Sequence, residues 1–306
     1  MIEQDKCIIA VVVLFRPENA RIHGLLKSII MQVDKVVLID NTDESNLIIP
    51  DSEFESYGEK IEHYRLNNNL GIAKAQNIGI HYAEKSKASH ILFLDQDSIV
   101  PEGMVKTLLI NERELLNSGK KVAVLGPAFK DEKTGKVTGA IHISPFYKTK
   151  LCHGDHPLET DFLISSGSLV RMEVLQKIGF MDEELFIDFV DIEWCERAKK
   201  MGLRSYVVPD IVMMHNIGNE AKRVLGKNVI MHNDFRHYFI VRNSIYLILK
   251  NKLSFNHCVY LFIRLPLFIA VHTLNSSSKL KKIKLLATAI KDGVVGKMGK
   301  GYFSNS

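Results

Sequence analysis

Cysteine is scarce in this chain of 306 residues, and its four cysteines lie far apart, at positions 7, 152, 195 and 258. Because no Cys-x-x-Cys pair is present, the sequence excludes a scaffold built on disulfides and a zinc site built on cysteine pairs. Proline and glycine, at eight and 19 residues, are too few for a low-complexity linker protein. No signal peptide is recognisable ahead of the first apolar run, and we expect the protein in the reducing cytoplasm.

Long uninterrupted apolar runs are also missing. Apolar residues make up 46% and charged residues 25% of the chain, which excludes a disordered chain, a fibrous repeat and a polytopic membrane protein. The most apolar stretch, residues 254–274, contains Arg264, Pro266 and two histidines, so a clean run of about 20 apolar residues is not available. We therefore expect a helix that lies in a membrane interface or is buried in the core, rather than a transmembrane helix.

Positive charge is concentrated at the C-terminus. Residues 250–306 hold ten lysines and arginines against one acidic residue, Asp292, for a net charge of +9, whereas residues 1–249 carry a net charge of −4. A basic tail on an acidic body predicts an anionic partner for the tail, either membrane lipid or nucleic acid. Four lysines that follow the apolar stretch would suit an anionic bilayer surface: Lys279, Lys281, Lys282 and Lys284.

Short β-branched runs alternate with helical stretches in the first hundred residues. The predicted strands are 8–15, 35–39, 61–66 and 90–94. Strands that alternate with helices indicate a parallel α/β sheet, and continuous apolar runs are typical of strands buried on both faces. Ligands of such sheets bind beyond the carboxyl ends of the strands, where Asp40 and Asp95 fall.

The second half of the chain has a less regular pattern. Strands are predicted at 122–126, 162–170 and 205–208, the last of them ending before Pro209, and helices at 173–178 and 188–201. Asp188 and Asp191 lie near the start of the second helix. Asp188 can be the N-cap with Asp191 in the first turn, or one of the two can serve as a general base aimed into the cleft.

Two carboxylates one residue apart, Asp95 and Asp97, follow directly on a predicted buried strand. At the end of a strand both can turn toward one point and hold a hard divalent cation, although a turn that caps the next helix is the ordinary alternative. His215 is either a structural histidine or a third metal ligand. Arg236 and Arg242 are six residues apart on a predicted helix, where they form a solvated pair or bind a diphosphate.

Several stretches in this order resemble a family-2 glycosyltransferase of the GT-A fold, in particular the bacterial dTDP-L-rhamnosyltransferases. They are VVLIDNT at 36–42, NNLGIAKAQNIGI at 68–80, ILFLDQDS at 91–98, LFIDFVDIEW at 185–194, MHNIG at 214–218 and RHYFIVRNS at 236–244. The resemblance implies a Rossmann-like, mostly parallel sheet flanked by helices. It implies a transferase domain at 1–250, with a nucleotide-binding half at 1–100 and an acceptor half at 101–250. A basic amphipathic helical region, which we expect to associate with a membrane, fills 251–306.

The resemblance also implies a role for individual residues. Asp40 would read the pyrimidine base, and Asp95 would lie near the ribose and the metal. Asp97 would ligate the metal with His215, and Asp191 would be the catalytic base with Asp188 as the alternative. The remaining residues that resemble parts of the nucleotide-sugar site are Asn69, Gly71, Asn77, Gln96, Arg236 and Arg242.

The function implied is transfer of L-rhamnose, with inversion, from dTDP-β-L-rhamnose to a hydroxyl of a saccharide acceptor, with Mg²⁺ or Mn²⁺ as cofactor. The acceptor would be linked to a lipid such as a polyprenyl diphosphate, and the enzyme would lie on the inner face of a bacterial membrane during surface polysaccharide synthesis. Two alternatives stay open: the same fold acting on another nucleotide sugar such as a UDP-hexose, and a non-enzymatic binding module that uses the basic tail. The absence of a nucleic-acid motif argues against a nucleic-acid partner.

Overall fold

The computed structural model describes residues 6–43, 49–132, 135–151, 154, 156–215, 221–224, 227–230 and 233–305. For residues 215, 221–224, 227–230 and 305 the description covers the backbone alone. Within these residues the chain forms a nine-stranded sheet, two small two-stranded sheets and flanking helices. The α/β class and the mostly parallel sheet predicted from the sequence are confirmed.

The strands and helices are numbered in chain order. The strands are β1 (Ile8–Leu14), β2 (Lys35–Asp40), β3 (Ile61–Arg65), β4 (His90–Asp95), β5 (Val122–Asp131), β6 (Val137–Thr138), β7 (Ala140–Ile143), β8 (Lys148–Leu151), β9 (Leu158–Thr160), β10 (Ser168–Arg171), β11 (Arg204–His215), β12 (Ala221–Val224) and β13 (Lys227–Ile230). The helices are α1 (Asn19–Ile29), α2 (Ile72–Lys85), α3 (Met104–Asn117), α4 (Met172–Ile178), α5 (Val190–Lys200), α6 (Asp234–Leu249), α7 (Phe255–Leu274) and α8 (Lys279–Val295).

The main sheet has the order β3-β2-β1-β4-β10-β5-β11-β9, with β6 added on β5. The first four strands run parallel, whereas β10 runs antiparallel between β4 and β5. The register places Leu14 opposite Asp40 and Val13 opposite Asp95. Both aspartates therefore end their strands at the same carboxyl edge, as the sequence predicts.

The sheet is buried on both faces, which explains the continuous apolar runs. Along β1, Ile9 and Val11 belong to one core cluster, while Ala10, Val12 and Leu14 belong to the other. Successive side chains of a strand point to opposite faces, so a strand that is covered on both sides needs apolar residues at every position.

Three predicted boundaries differ from the structure. The run at 162–170 forms a strand only over Ser168–Arg171. Strand β11 does not end before Pro209 but continues to His215, and its register with β5 shifts between Val208 and Val212. Proline has no N–H group to donate to a neighbouring strand. Because Pro209 lies within the stretch where the register shifts, no regular inter-strand hydrogen bond is lost there and the strand can continue. Helix α5 begins at Val190, because the backbone just before it turns left-handed.

Helix α7 is 20 residues long with a mean hydropathy of 1.6 over its most apolar 18-residue window, and only 11% of that window is buried. By length and composition it is sufficient to cross a membrane, so the expectation that no such segment exists is wrong. Of the two alternatives expected for this stretch, the buried core helix is wrong, because Phe262 and Leu267 are exposed, and the interfacial helix stays a prediction. Isolated polar residues such as Arg264 lower the hydropathy of a 20-residue helix without removing its apolar character.

Helix α8 packs against α6 and closes a third apolar cluster. Its buried part consists of six residues: Phe186, Tyr238, Phe239, Val241, Leu286 and Ala289. The C-terminal helices therefore share a core with residues on both sides of position 250. The domain limits given above stay a prediction.

Candidate active site

A cavity of about 530 Å³ opens at the carboxyl edge of the sheet, between α2, the segment before α5 and the start of α6. One wall is apolar and consists mainly of isoleucines with Phe189 and Val190. The polar side chains that line the cavity are Gln76, Asp95, Ser165, Asp188, Asp191 and Arg236. The structure thus brings together four residues that the sequence singled out, Asp95, Asp188, Asp191 and Arg236, from three separate segments.

Asp191 lies in the first turn of α5, and its Oδ1 accepts a hydrogen bond of 2.8 Å from the N–H of Ile192. Burial raises the pKa of its carboxyl group to about 6, and the negative charges of Asp95 and Asp188 act in the same direction. A carboxyl group with this pKa is largely ionised at neutral pH and still basic enough to accept a proton in a reaction. These are the properties required of a general base.

Asp188 forms a partly buried ion pair with Arg236, whose side chain is 39% exposed. The Nε of Arg236 donates a hydrogen bond to Oδ2 of Asp188 at 3.3 Å, and a terminal nitrogen of the same guanidinium donates to Oδ1. Burial alone would lower the pKa of Arg236, but the ion pair outweighs burial and raises it. The N-cap of α5 is Phe189, with no side chain bonded to the helix end, so the capping role considered for Asp188 is wrong.

The last residue of β4 and the two residues that follow it lie in different surroundings. Asp95 faces the cavity, and its backbone N–H donates to Ser166 Oγ at 3.3 Å. Gln96 instead pairs with the backbone of Phe15, accepting from its N–H at 2.8 Å and donating to its carbonyl at 3.1 Å. Asp97 is partly exposed, with Oδ2 3.6 Å from a terminal nitrogen of Arg21. Gln96 therefore ties the ends of β1 and β4 together.

Among the side chains that the structure describes, no group of three His, Cys, Asp or Glu residues lies close enough to hold a metal ion. His215, which the sequence predicts as the third ligand, ends β11, and its side chain lies outside the described residues. The arrangement of Asp95, Asp97 and His215 around a cation therefore stays a prediction.

Asp40 ends β2 and is fully buried. Its Oδ1 accepts the N–H of Thr42 at 3.0 Å, and Nε2 of His63 lies 3.7 Å from its Oδ2. Burial would raise the pKa of Asp40, but His63 and Thr42 outweigh burial and hold that pKa below its ordinary value. In this arrangement the carboxylate orders the edge of the sheet, and its contact with a pyrimidine base stays a prediction.

Asn69 and Gly71 lie at the start of α2, in a loop that Asn41 fixes. Asn41 donates to Asn69 Oδ1 at 3.1 Å and accepts the N–H of Leu70 at 2.7 Å. Gly71 has φ +87°, and a Cβ at this position would lie 2.7 Å from the carbonyl oxygen of Phe186. Both the backbone angle and the space at this position therefore require glycine.

The structure does not bring Asn77 or Arg242 to the cavity. The side chain of Asn77 exchanges hydrogen bonds with the backbone of Met181 (3.0 and 2.9 Å) and donates to Glu183. Arg242 is fully buried and donates to the carbonyl oxygens of Leu185 (3.0 Å) and Gly299 (2.6 Å). The diphosphate contact predicted for Arg242 is therefore corrected to a contact with the protein's own backbone.

Gln76 was missed by the sequence analysis. It is buried in the cavity wall, and its Nε2 donates to Ser165 Oγ at 3.0 Å. Its Oε1 accepts no hydrogen bond from the described residues. The sequence does contain a signal for this residue: Gln76 lies three residues after Ala73 and four before Ile80, so it falls on the face of α2 that turns toward the core.

Comparisons with known sequences show which proteins the chain is similar to. The sequence profile of glycosyl transferase family 2 matches residues 10–179. The chain is 34% identical over 304 residues to the dTDP-rhamnosyl transferase RfbF of Shigella flexneri, covering 97% of this chain and 98% of the relative. It is 22% identical over 233 residues to the low-salt glycan biosynthesis hexosyltransferase Agl10 of Haloferax volcanii, covering 72% of this chain and 71% of that relative.

Solved structures share the fold. A structure of GalNAc-T7 with UDP, GalNAc and Mn²⁺ aligns with a TM-score of 0.58 at 15% identity, over 95% of this chain and 58% of its own. Residues 1–349 of TarS from S. aureus align with a TM-score of 0.52 at 16% identity, over 95% of this chain and 72% of theirs. The resemblance and the fold predicted from the sequence are confirmed. With a family profile matched over more than half of its length and a relative 34% identical over nearly all of it, the chain belongs to glycosyl transferase family 2.

Proposed function

We propose that this protein transfers L-rhamnose from dTDP-β-L-rhamnose to a hydroxyl group of a saccharide acceptor, with inversion at the anomeric carbon. The similarity over nearly the whole chain to a dTDP-rhamnosyl transferase supports this donor. The observation that carries the proposal is the cavity itself. It places the basic carboxylate Asp191 beside Asp95 at the end of β4 and beside the Asp188–Arg236 pair.

In this proposal Asp191 is the general base. The acceptor hydroxyl attacks the anomeric carbon from the side opposite the leaving diphosphate, and Asp191 removes its proton as the new bond forms. A single displacement of this kind converts a β-linked donor into an α-linked product. Asp188, the alternative base, is already neutralised by Arg236, so we assign it the role of holding that guanidinium at the cavity wall.

On the leaving-group side, Arg236 supplies positive charge to the departing diphosphate. The residues present also suit a divalent cation. Asp95 and Asp188 both raise the pKa of Asp191, which reflects an excess of negative charge around the cavity. We propose that Asp95, Asp97 and His215 hold Mg²⁺ or Mn²⁺, since these carboxylate and imidazole ligands accommodate both. A bound cation would neutralise charge on the diphosphate as it leaves.

For the rest of the donor, we propose that Asp40, Asn69 and Gly71 lie at the edge of the site that faces the nucleoside, as the sequence predicts. Gln96 and Asn77 support this edge through Phe15 and Met181 rather than by contact with the nucleotide. Gln76 is the candidate for reading a sugar hydroxyl. A buried amide oxygen without a partner costs stability, and a ligand hydroxyl in the cavity would satisfy it.

We further propose that the acceptor is linked to a lipid and that the enzyme lies on the inner face of the bacterial cell membrane, attached through α7 and α8. Phe262 of α7 and Leu280 of α8 are 72% and 83% exposed, and Lys279, Lys281 and Lys284 of α8 are also exposed. Lysines near an anionic bilayer contribute about 1 kcal/mol each, so three contribute about 3 kcal/mol.

The fourth lysine predicted for this surface is buried. Lys282 is 2% exposed and donates to Asp234 at 2.5 Å and to His237. It joins α8 to α6 and is not available to lipid. Three lysines, and not the four expected from the sequence, are therefore left to bind an anionic membrane.

A donor screen tests the proposed function. Purified protein is incubated with dTDP-L-rhamnose, UDP-glucose, UDP-galactose or GDP-mannose, each with Mg²⁺, with Mn²⁺ and with chelator, and thermal stabilisation and donor hydrolysis are measured. We expect both signals with dTDP-L-rhamnose and a divalent cation only. Stabilisation by another nucleotide sugar alone would overturn the rhamnosyl assignment, and equal activity in chelator would overturn the metal assignment.

A further inference from the structure

The segment at 182–189, which joins the region of α4 to α5, has an unusual backbone. Phe186, Asp188 and Phe189 all have positive φ angles, at 65°, 63° and 66°. Side chains other than glycine avoid this conformation, so three such residues within four positions need their surroundings to hold them. Asp188 is one of the three, and Asp191 follows in the next turn of chain.

From one side, the segment is held by Asn243 of α6. The Nδ2 of Asn243 donates to the carbonyl oxygens of Leu185 (3.0 Å), Ile187 (2.8 Å) and Asp188 (3.0 Å). Its Oδ1 accepts from Nε of Arg242 at 2.9 Å. Asn243 is fully buried, and the two hydrogens of its amide group are shared among these three carbonyl oxygens.

Arg242 extends the same contact to the C-terminus. One terminal nitrogen donates to the carbonyl oxygens of Glu184 (3.3 Å) and Leu185 (3.0 Å), and the other donates to Gly299 at 2.6 Å. Gly299 in turn donates its N–H to the carbonyl of Glu184 at 2.9 Å. At Gly301 a Cβ would lie 2.3 Å from the Tyr238 hydroxyl and 2.9 Å from the Arg242 guanidinium, so the C-terminal segment packs tightly over both side chains.

From the other side, the segment meets the start of α2. The N–H of Ile72 donates to the carbonyl oxygen of Phe186 at 2.7 Å, where Gly71 approaches closely. The segment is thus fixed between a helix of the nucleotide-binding half and α6 with the C-terminus.

We propose that Arg242 and Asn243 are positioning residues for catalysis. Together with residues 299–301 they fix the backbone of 184–188, so that Asp188 holds Arg236 and Asp191 faces the acceptor. The proposal rests on the proposed function and adds to it a catalytic requirement for the C-terminal segment. It also separates Arg242 from Arg236: Arg236 meets the donor, whereas Arg242 acts through the loop.

The test compares Asn243→Ala and Arg242→Lys with Ser244→Ala. Ser244 is equally buried on the same helix, but its hydroxyl donates to Ile240 within that helix. For each variant the melting temperature, the donor dissociation constant, kcat with dTDP-L-rhamnose and amide hydrogen exchange of 183–190 are measured. We expect kcat to fall at least 30-fold in both loop variants, with donor affinity changed less than threefold and exchange at 183–190 faster. Ser244→Ala should keep kcat within threefold.

Loss of donor affinity that accounts for the whole loss of activity in Arg242→Lys would overturn the proposal in favour of a diphosphate contact. Wild-type kcat in a folded Asn243→Ala would overturn it as well. If the two loop variants do not fold, Gly301→Ala is measured instead, since it leaves both side chains in place and displaces the segment that covers Arg242. We then expect a three- to tenfold fall in kcat, and an unchanged kcat would refute the proposal.

Hydrogen exchange separates this proposal from the proposed function. If the wild-type protein turns over no donor, the proposed function fails. Faster exchange at 183–190 in Asn243→Ala would still support the positioning contact, and exchange equal to that of the wild type would refute it.

Discussion

Replacing Asp191 by asparagine should show two separate effects of this carboxylate: it lowers the stability of the folded protein, and it raises the rate of the reaction. Burial and the charges of Asp95 and Asp188 raise its pKa from 3.8 to about 6. This difference corresponds to about 3 kcal/mol of lost stability when the group is ionised. Asparagine keeps the oxygen that accepts from Ile192 and removes the charge. The variant should therefore be more stable and less active than the wild type.

The sign of the effect of Asp191 on stability follows from its pH dependence. A carboxyl group whose pKa is raised in the folded state favours folding while it is protonated, and that contribution is lost as the pH rises through about 6. In chelator, we expect Asp191→Asn to exceed the wild type by about 1 kcal/mol at pH 4.5 and about 3 kcal/mol at pH 7.5. The second value corresponds to a rise in melting temperature of about 5 °C for a chain of this size. Urea titrations at the two pH values measure both.

The activity of the same variant should fall by about 10²- to 10⁴-fold, the usual contribution of a general base. In the wild type, kcat/KM should rise tenfold per pH unit below about 6 and level off above it. Asp188→Asn is the matched control, because it leaves Arg236 without its partner and should lower stability by about 2 kcal/mol. An Asp191→Asn variant that is less stable at pH 7.5, or that turns over donor at the wild-type rate, would refute this reasoning.

Gly71→Ala should lower the free energy of unfolding by about 2–4 kcal/mol, because its Cβ meets the Phe186 backbone at φ +87°. Gly103→Ala, at φ +70° with open space around it, should cost only about 1 kcal/mol, and equal losses in urea titrations would contradict the close approach. Asp97→Asn should raise the Mn²⁺ concentration for half-maximal activity about tenfold or more without changing the melting temperature; an unchanged metal requirement would remove this ligand. Substituting aspartate at both Phe262 and Leu267 should abolish flotation with vesicles of anionic lipid while donor hydrolysis in solution persists, and undiminished flotation would exclude this face.

The parts of the fold that sequence predicts well are those set by neighbouring residues. The β-branched run of β1 and the aspartates that end β2 and β4 follow from strand burial and from the common edge of parallel strands. The helical region 188–201 was also predicted. Its start was misplaced by two residues, because the left-handed backbone at Asp188 and Phe189 depends on Asn243, 55 residues further along the chain.

The site was predicted unevenly for the same reason. Asp95, Asp188, Asp191 and Arg236 meet at one cavity, as their positions at strand and helix ends suggest. Arg242 has the same residue type and lies on the same helix as Arg236, yet its guanidinium is buried against the carbonyl oxygens of Gly299 and Leu185 instead of lining the cavity. A buried arginine and an exposed one look alike in sequence when the residues that cover them come from distant segments.

The most direct test of the central claim is the configuration of the sugar released when the enzyme hydrolyses dTDP-β-L-rhamnose, followed by proton NMR before mutarotation. A single displacement directed by Asp191 predicts that α-L-rhamnose appears first and that Asp191→Asn abolishes its formation. First appearance of the β-anomer would contradict the mechanism, since retention requires two displacements, and release of sugar by Asp191→Asn at the wild-type rate would remove Asp191 from it.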